Sequence, residues 1–311
     1  MTLLYTDPIF LRHETGTHPE KPARLRSIAR RLDASGLAQR CTGGTFQPMT
    51  EEEVGRLHAP AMISAIKQVA ARGGGMLDAD TVVSADSFKA VLAAAGACAS
   101  AVDAVLGGAD HTALCLVRPP GHHATPTHSM GFCLFNNIAL AAERAKRVHG
   151  LSRLLIVDWD VHHGNGTQDL FYTGPAVMFL SVHRYGHGFY PGTGAADETG
   201  SGKGLGFTVN VPVRYGTSRP AYHDQFLRAL EKAGDRFKPE LVLISAGFDA
   251  HALDPIGSLG LETEDFHTLT RNVLDVARAH AGGRVVSCLE GGYDLEALAE
   301  SVEAHLTRLL G

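Results

Sequence analysis

The 311-residue chain has no CxxC pair among its five cysteines, no excess of basic residues and no apolar run long enough to cross a bilayer. Cys41, Cys98, Cys115, Cys133 and Cys288 cannot all pair with one another, so a disulfide framework is not encoded and a reducing compartment is the expectation. Cys98 and Cys115 lie in apolar runs and read as buried thiols; Cys133 reads as inert core. With 28 Lys and Arg against 33 Asp and Glu, the formal charge of −5 argues against a protein that coats nucleic acid. A basic peptide remains compatible as substrate. The most membrane-like stretch, residues 90–102, is Ala/Gly-rich, flanked by Lys89 and Asp103, and shorter than the roughly 20 residues of a spanning helix. The N-terminal MTLLYTDPIFLRHE meets charge too early for a signal peptide. A cytoplasmic chain without membrane or nucleic-acid partners is expected.

What is present points to one core. The chain is 44% hydrophobic, shows no internal repeat and has no Ser/Pro-rich linker. Gly73–Gly75 and Gly200–Gly206 read as short loops. A single domain over residues 1–311 is therefore expected. Apolar, partly β-branched runs predict strands at 113–117, 154–157, 177–182, 241–244 and 284–289. Helical spacing occupies 87–106, 137–148, 222–237, 264–281 and 295–310, and Thr263 with Glu264 and Asp265 marks an acid-rich helix start. Strands alternating with helices imply an α/β fold with a mostly parallel central sheet covered on both faces.

The sequence after four of these strands is the strongest signal: RPPGHHA, DWDVHHGNG, SAGFDAH and EGGYD. In an open parallel sheet, ligand sites form at the carboxyl ends of the strands. Four strand ends rich in His, Asp, Tyr and Gly thus converge on one place. Asp158, Asp160 and His162 alternate at a spacing of two, which projects them to one side. Asp160 and His162, completed by Asp249 from another strand end, form a ligand set that suits zinc with an open position; iron(II) or cobalt fit the same donors. Two carboxylates acidify a bound water less than three imidazoles do, so a separate base is needed. His122 and His123, aimed by the turn at Pro119–Pro120–Gly121, supply it. Asp158 and Asn165 are natural partners for their other ring nitrogens, one anionic and one neutral, which divides the pair into a more cationic imidazole and a freer one. Tyr293 offers a phenol donor for an oxyanion.

Taken together and in order, the four motifs resemble the histone deacetylase superfamily, which includes acetylpolyamine amidohydrolases and acetoin-utilisation proteins. The resemblance runs from about His13 to Tyr293. SVHRYGHGFYPGTG and GLGFTVNVP look more like its class II branch. It implies an arginase/deacetylase-like fold, zinc on Asp160, His162 and Asp249, His123 as general base and acid, and His122 as its electrostatic neighbour. Asp158 would partner His122, Asn165 would stand near His123, and Tyr293 would polarise the substrate carbonyl. Gly131, Phe132 and Tyr190 match the wall of an acyl-lysine channel, with Tyr in place of the commoner Phe at position 190. A structural potassium near Asp158 and Ser181 is implied as well. HPEKPARL, residues 18–25, matches an N-terminal loop of that branch; by itself it reads as a Pro-stiffened loop ahead of a basic helix.

The expected substrate is an acyl-lysine peptide or a small acylated amine, and homo-oligomerisation is open. Polyamine-selective relatives can carry a gatekeeper Glu where this chain has Ile256, which favours acyl-lysine over acetylpolyamine. An arginase-like pair of manganese ions needs further acids, but Gly164 and His251 stand where they would be. A non-catalytic reader would show damage to the ligands, base or tyrosine, and all are present.

Overall fold

The computed structural model describes residues 1–186 and 188–311; His187, inside the SVHRYGHGFYPGTG segment, lies outside the described residues. Among the described residues ten strands are formed: β1 Thr2–Tyr5, β2 Thr42–Gly43, β3 Gly74–Met76, β4 Val82–Ser84, β5 Thr112–Cys115, β6 Leu154–Asp158, β7 Val177–Arg184, β8 Thr208–Val213, β9 Leu241–Ala246 and β10 Val285–Leu289. The helices are α1 Ala23–Ala34, α2 Glu51–Val54, α3 Pro60–Ala71, α4 Ser87–Leu106, α5 Asn137–His149, α6 Asn165–Phe171, α7 Arg219–Phe237, α8 Thr263–His280 and α9 Leu295–Leu310. Eight strands make one sheet in the order β2-β1-β5-β10-β9-β6-β7-β8, and every pairing in it is parallel. The expected α/β architecture is borne out.

The five anticipated strands all form. They read as continuous apolar runs because helices bury both faces: every residue of β5, β6, β9 and β10 is buried. On one side α4 packs against α5 and lies over β1, β5 and β10; on the other, α1, α9, α8 and α7 pack in succession. The apolar stretch at 90–102 sits inside α4. That helix is 20 residues long and apolar enough to cross a membrane by composition. Its composition has a simpler cause here, since Ala90, Ala94, Ala97, Cys98 and Ala101 are fully buried against sheet and helix.

Differences are local. Gly74 and Gly75, expected in a loop, belong to the small antiparallel ribbon β3–β4. The acid-rich start expected at Thr263–Asp265 is the first turn of α8, capped by Glu262 in a reciprocal arrangement with Asp265. β1 and β8 were not anticipated. The first has only four residues, and the second carries Pro212, tolerated because β8 is the sheet's last strand. The parallel arrangement sends the segments after β5, β6, β9 and β10 out on one edge of the sheet.

Candidate metal centre and active site

Those four segments do meet. His162 Nδ1 lies 3.0 Å from Asp160 Oδ1 and 3.1 Å from Asp249 Oδ2, and the three ligand atoms all stand within 4.8 Å of one another. The two carboxylates are fixed by backbone. Val161 N–H donates to Asp249 Oδ1 at 2.9 Å, and Gly291 N–H donates to Asp160 Oδ2 at 2.9 Å. A Cβ at Gly247 would collide with Asp160, and one at Gly291 with both carboxylates. Only glycine lets the backbone come this close.

Asp160 and Asp249 are buried, and among the described residues their ion-pair contacts are to histidines alone. Burial and the neighbouring Asp160 push Asp249 up to about 7. Burial lowers His162, but the flanking Asp160 and Asp249 outweigh it and raise the imidazole to about 10. Among the described residues, these two carboxylates meet the imidazoles of His162 and, at 3.9 Å from Asp160, His122, but no Lys or Arg in an ion pair, so they lack a fixed cation of their own. A divalent cation fits that deficit.

The two histidines of RPPGHHA lie with ring centroids 4.0 Å apart, tilted by 42°. His122 Nδ1 donates to Asp158 Oδ2 at 3.0 Å, and His123 Nδ1 donates to Asn165 Oδ1 at 2.8 Å. The partners expected from the sequence are therefore the partners found. Burial opposes charge on both rings. At His122, Asp158, Asp160 and Glu290 override it and raise the ring to about 10. At His123, burial is reinforced by His122 and His162, so this ring is held well below the usual imidazole range.

Tyr293 leaves β10 through Gly291 and Gly292; its N–H donates to Asp254 Oδ2 at 2.7 Å. Part of its ring stays accessible, and burial of the phenol, followed by the Asp249 carboxylate, keeps it protonated well above the ordinary phenol range. Phe132 meets Tyr293 edge-on at 5.7 Å, and Tyr190 meets His123 edge-on at 5.1 Å. Gly131 (φ 56°) and Phe132 (φ 68°) are both left-handed. A Cβ at Gly131 would stand 2.5 Å from the His123 ring and 2.8 Å from the Tyr190 hydroxyl. Ile256 is partly buried in the loop after Asp249, its N–H donating to Asp254 Oδ1 at 2.9 Å. Ser181 is the register partner of Asp158, and its hydroxyl contacts His183 Nδ1 at 2.9 Å.

Three features escape sequence reasoning. Phe189, beside Tyr190, stacks flat on His162 at 5.1 Å. The turn of the β3–β4 ribbon reaches Phe132, where Thr81 Oγ1 accepts from Phe132 N–H at 3.2 Å. Its Asp78 and Asp80 lie close enough to Tyr190 to help raise that phenol, after burial. Acids thus stand near Tyr190, which Ile256 alone gave no reason to expect; the DAD triplet at 78–80 was the available signal. Glu290 is the third. It is wholly buried, accepting from Gly121 N–H at 2.7 Å, His122 N–H at 3.2 Å and the Ser245 hydroxyl at 3.1 Å.

HPEKPARL is more than a stiff loop. Arg24 Nη1 and Arg118 Nη2 donate to Glu20 at 3.1 and 2.7 Å, all three side chains being buried. Arg24 also donates to the carbonyls of Gly292 and Glu290, each at 2.6 Å, and lies 5.1 Å over the Tyr293 ring.

Comparison with known proteins agrees with this geometry. The histone deacetylase domain matches residues 18–309. The chain is 45% identical to the polyamine deacetylase HDAC10 of Homo sapiens over 303 residues, spanning 94% of this chain and 44% of that one. It is 41% identical to the histone deacetylase-like amidohydrolase of Pseudomonas aeruginosa over 276 residues, or 89% and 72% of the two chains. The crystal structure of the HDA15 HD domain superposes with a TM-score of 0.93 at 37% identity, covering 100% of this chain and 88% of that chain. The chain belongs to the histone deacetylase domain family, enzymes that act on acyl amides.

Proposed function

We propose that the chain, as one domain over residues 1–311, is a zinc-dependent amide hydrolase that removes acetyl or similar acyl groups from lysine-like amines. The observation that carries this reading is the meeting of Asp160, His162 and Asp249 ligand atoms within 4.8 Å, beside a His123 that burial keeps neutral. These three residues would hold the ion, which when bound supplies Lewis-acid polarisation of the acyl carbonyl and acidification of a water. Iron(II) or cobalt would suit the same donors.

His123 takes the proton of the attacking water and returns it to the leaving amine. A ring held low accepts a proton at neutral pH only as the reaction supplies negative charge nearby, which confines the transfer to the transition state. Asn165 fixes its Nδ1–H without adding charge. His122, kept cationic by Asp158, stands beside it as a fixed positive charge. Tyr293 donates its O–H to the developing oxyanion. Gly131, Phe132 and Tyr190 enclose the acyl-lysine stem, and Ile256 stands at the rim. A potassium near Asp158 and Ser181 would be structural. Cytoplasmic residence belongs to the same reading.

A second reading has its own support. Asp78 and Asp80 near Tyr190 offer charge to a distal ammonium, and a relative 45% identical is a polyamine deacetylase. Purified protein, loaded with zinc at one equivalent per chain, is assayed against acetyl-lysine peptides, longer acyl-lysines and acetylpolyamines. Acetyl-lysine turnover supports the first reading. Turnover of acetylpolyamines alone replaces it with the second, and binding of two metals per chain overturns the mononuclear site.

A further inference from the structure

The core holds three thiols that the proposed reaction does not use. Cys98 on α4, Cys115 on β5 and Cys288 on β10 are each wholly buried, and their sulfurs all lie within 4.8 Å of one another. Cys98 Sγ and Cys288 Sγ are 3.1 Å apart. Cys115 and Cys288 are register partners on adjacent parallel strands, so their side chains leave the sheet on one face, the face that α4 covers. No disulfide joins them. Three sulfurs each about 2.3 Å from a shared centre stand about 4 Å apart at most; the Cys98–Cys288 pair is already inside that limit, and the 4.8 Å bound on the others leaves under about 1 Å to close.

We propose that Cys98, Cys115 and Cys288 form a binding site for a trivalent thiophilic metalloid, with inorganic arsenite as the ligand class. The choice follows from charge. Zinc held by three thiolates carries one net negative charge, and copper(I) carries two; burying either without a counter-charge is costly. Burial already holds all three thiols protonated well above the ordinary thiol range, which also slows attack on a peroxide, since the thiolate is the nucleophile. Arsenite avoids both penalties. Neutral As(OH)3 and three S–H groups give neutral As(SR)3 and three waters. Three As–O bonds break and three As–S bonds form, each thiol proton leaves on a hydroxide, and nothing is oxidised or reduced. Trivalent arsenic is satisfied by three sulfurs in a pyramid, and the cluster supplies three. Entry requires α4 to part transiently from β5 and β10, so uptake is slow and loss slower.

The test is independent of the hydrolase reading. Folded protein is incubated with sodium arsenite, desalted, and measured by intact mass, by thiol titration after denaturation and by thermal melting. The expected result is one arsenic per chain, three of five thiols lost, and a raised Tm, because the ligand ties α4 to the sheet. Cys98→Ala and Cys288→Ala, each checked by circular dichroism, lose the adduct and the Tm rise; Cys41→Ala and Cys133→Ala keep both. No adduct, an adduct that survives Cys98→Ala and Cys288→Ala, or a Cys98–Cys288 disulfide in its place overturns the proposal.

Discussion

Two buried charge clusters lie on either side of the Tyr293 loop, and they are built in opposite ways. Around Glu20, the carboxylate meets Arg24 and Arg118, and the guanidiniums' remaining donors end on carbonyls of Phe10, His13, Glu290 and Gly292. Positive charge and hydrogen bonds are complete without help. Around Asp160 and Asp249, two carboxylates share the His162 imidazole, with His122 Nε2 a further 3.9 Å from Asp160, and glycine at 247 and 291 removes any side chain that would fill the space. One cluster is closed and braces the fold. The other is left short of a cation, which marks it as a place where something binds.

The sharpest way to break this contrast is to remove one charge from each cluster. Asp249→Asn should abolish zinc retention and reduce amide hydrolysis to background, as read by metal analysis and turnover. Yet the metal-free variant should melt no lower than metal-free wild type, because a repulsive carboxylate has been lost. Glu20→Ala should do the reverse. Stranding two buried guanidiniums costs roughly 3–5 kcal/mol, measured by denaturant unfolding, while the soluble fraction keeps its zinc stoichiometry. Equal destabilisation by both substitutions would erase the distinction. Tyr293→Phe sharpens it further: zinc binding should persist while kcat falls by about 10²–10³, since only the oxyanion donor is gone. The smallest effect is in pH. The two arginines, against the opposing cost of burial, hold Glu20 at about 2 rather than 4.5. A depressed carboxyl contributes stability fully above the unfolded value and loses it as pH falls from about 4.5 towards 2. Glu20→Gln should flatten that acid limb in melts run across this range; an unchanged limb would assign it to other carboxylates.

The two clusters also differ in how readily sequence displays them. The metal cluster was legible because Asp160 and His162 are two residues apart on one strand end and Asp249 follows another, so topology alone brings them together. Its partners His122–Asp158 and His123–Asn165 followed from the need to fix a ring nitrogen. Glu20 gave no such sign. Its arginine at position 118 is 98 residues away, and a Glu between prolines looks like any exposed loop residue. Glu290 was hidden in the same way, since an acid after an apolar strand is ordinarily solvent-facing. The interior strands announced themselves by continuous apolar runs, whereas β1 is too short and β8, at the sheet's end, too mixed. The acids of the β3–β4 ribbon were missed because the rim was judged from Ile256, and sequence does not say which distant loop approaches Tyr190.

That ribbon has a consequence of its own. It is a self-contained pair of short strands apart from the eight-stranded sheet, and its turn touches Phe132 through Thr81. The ribbon is held by its own buried residues, Val83 and Thr81, while the His and Asp side chains of the site leave the ends of the main sheet. Swapping Asp78 and Asp80 for neutral residues, with the buried Thr81 kept to hold Phe132, should retune which amines are preferred and leave the His and Asp cluster as it stands.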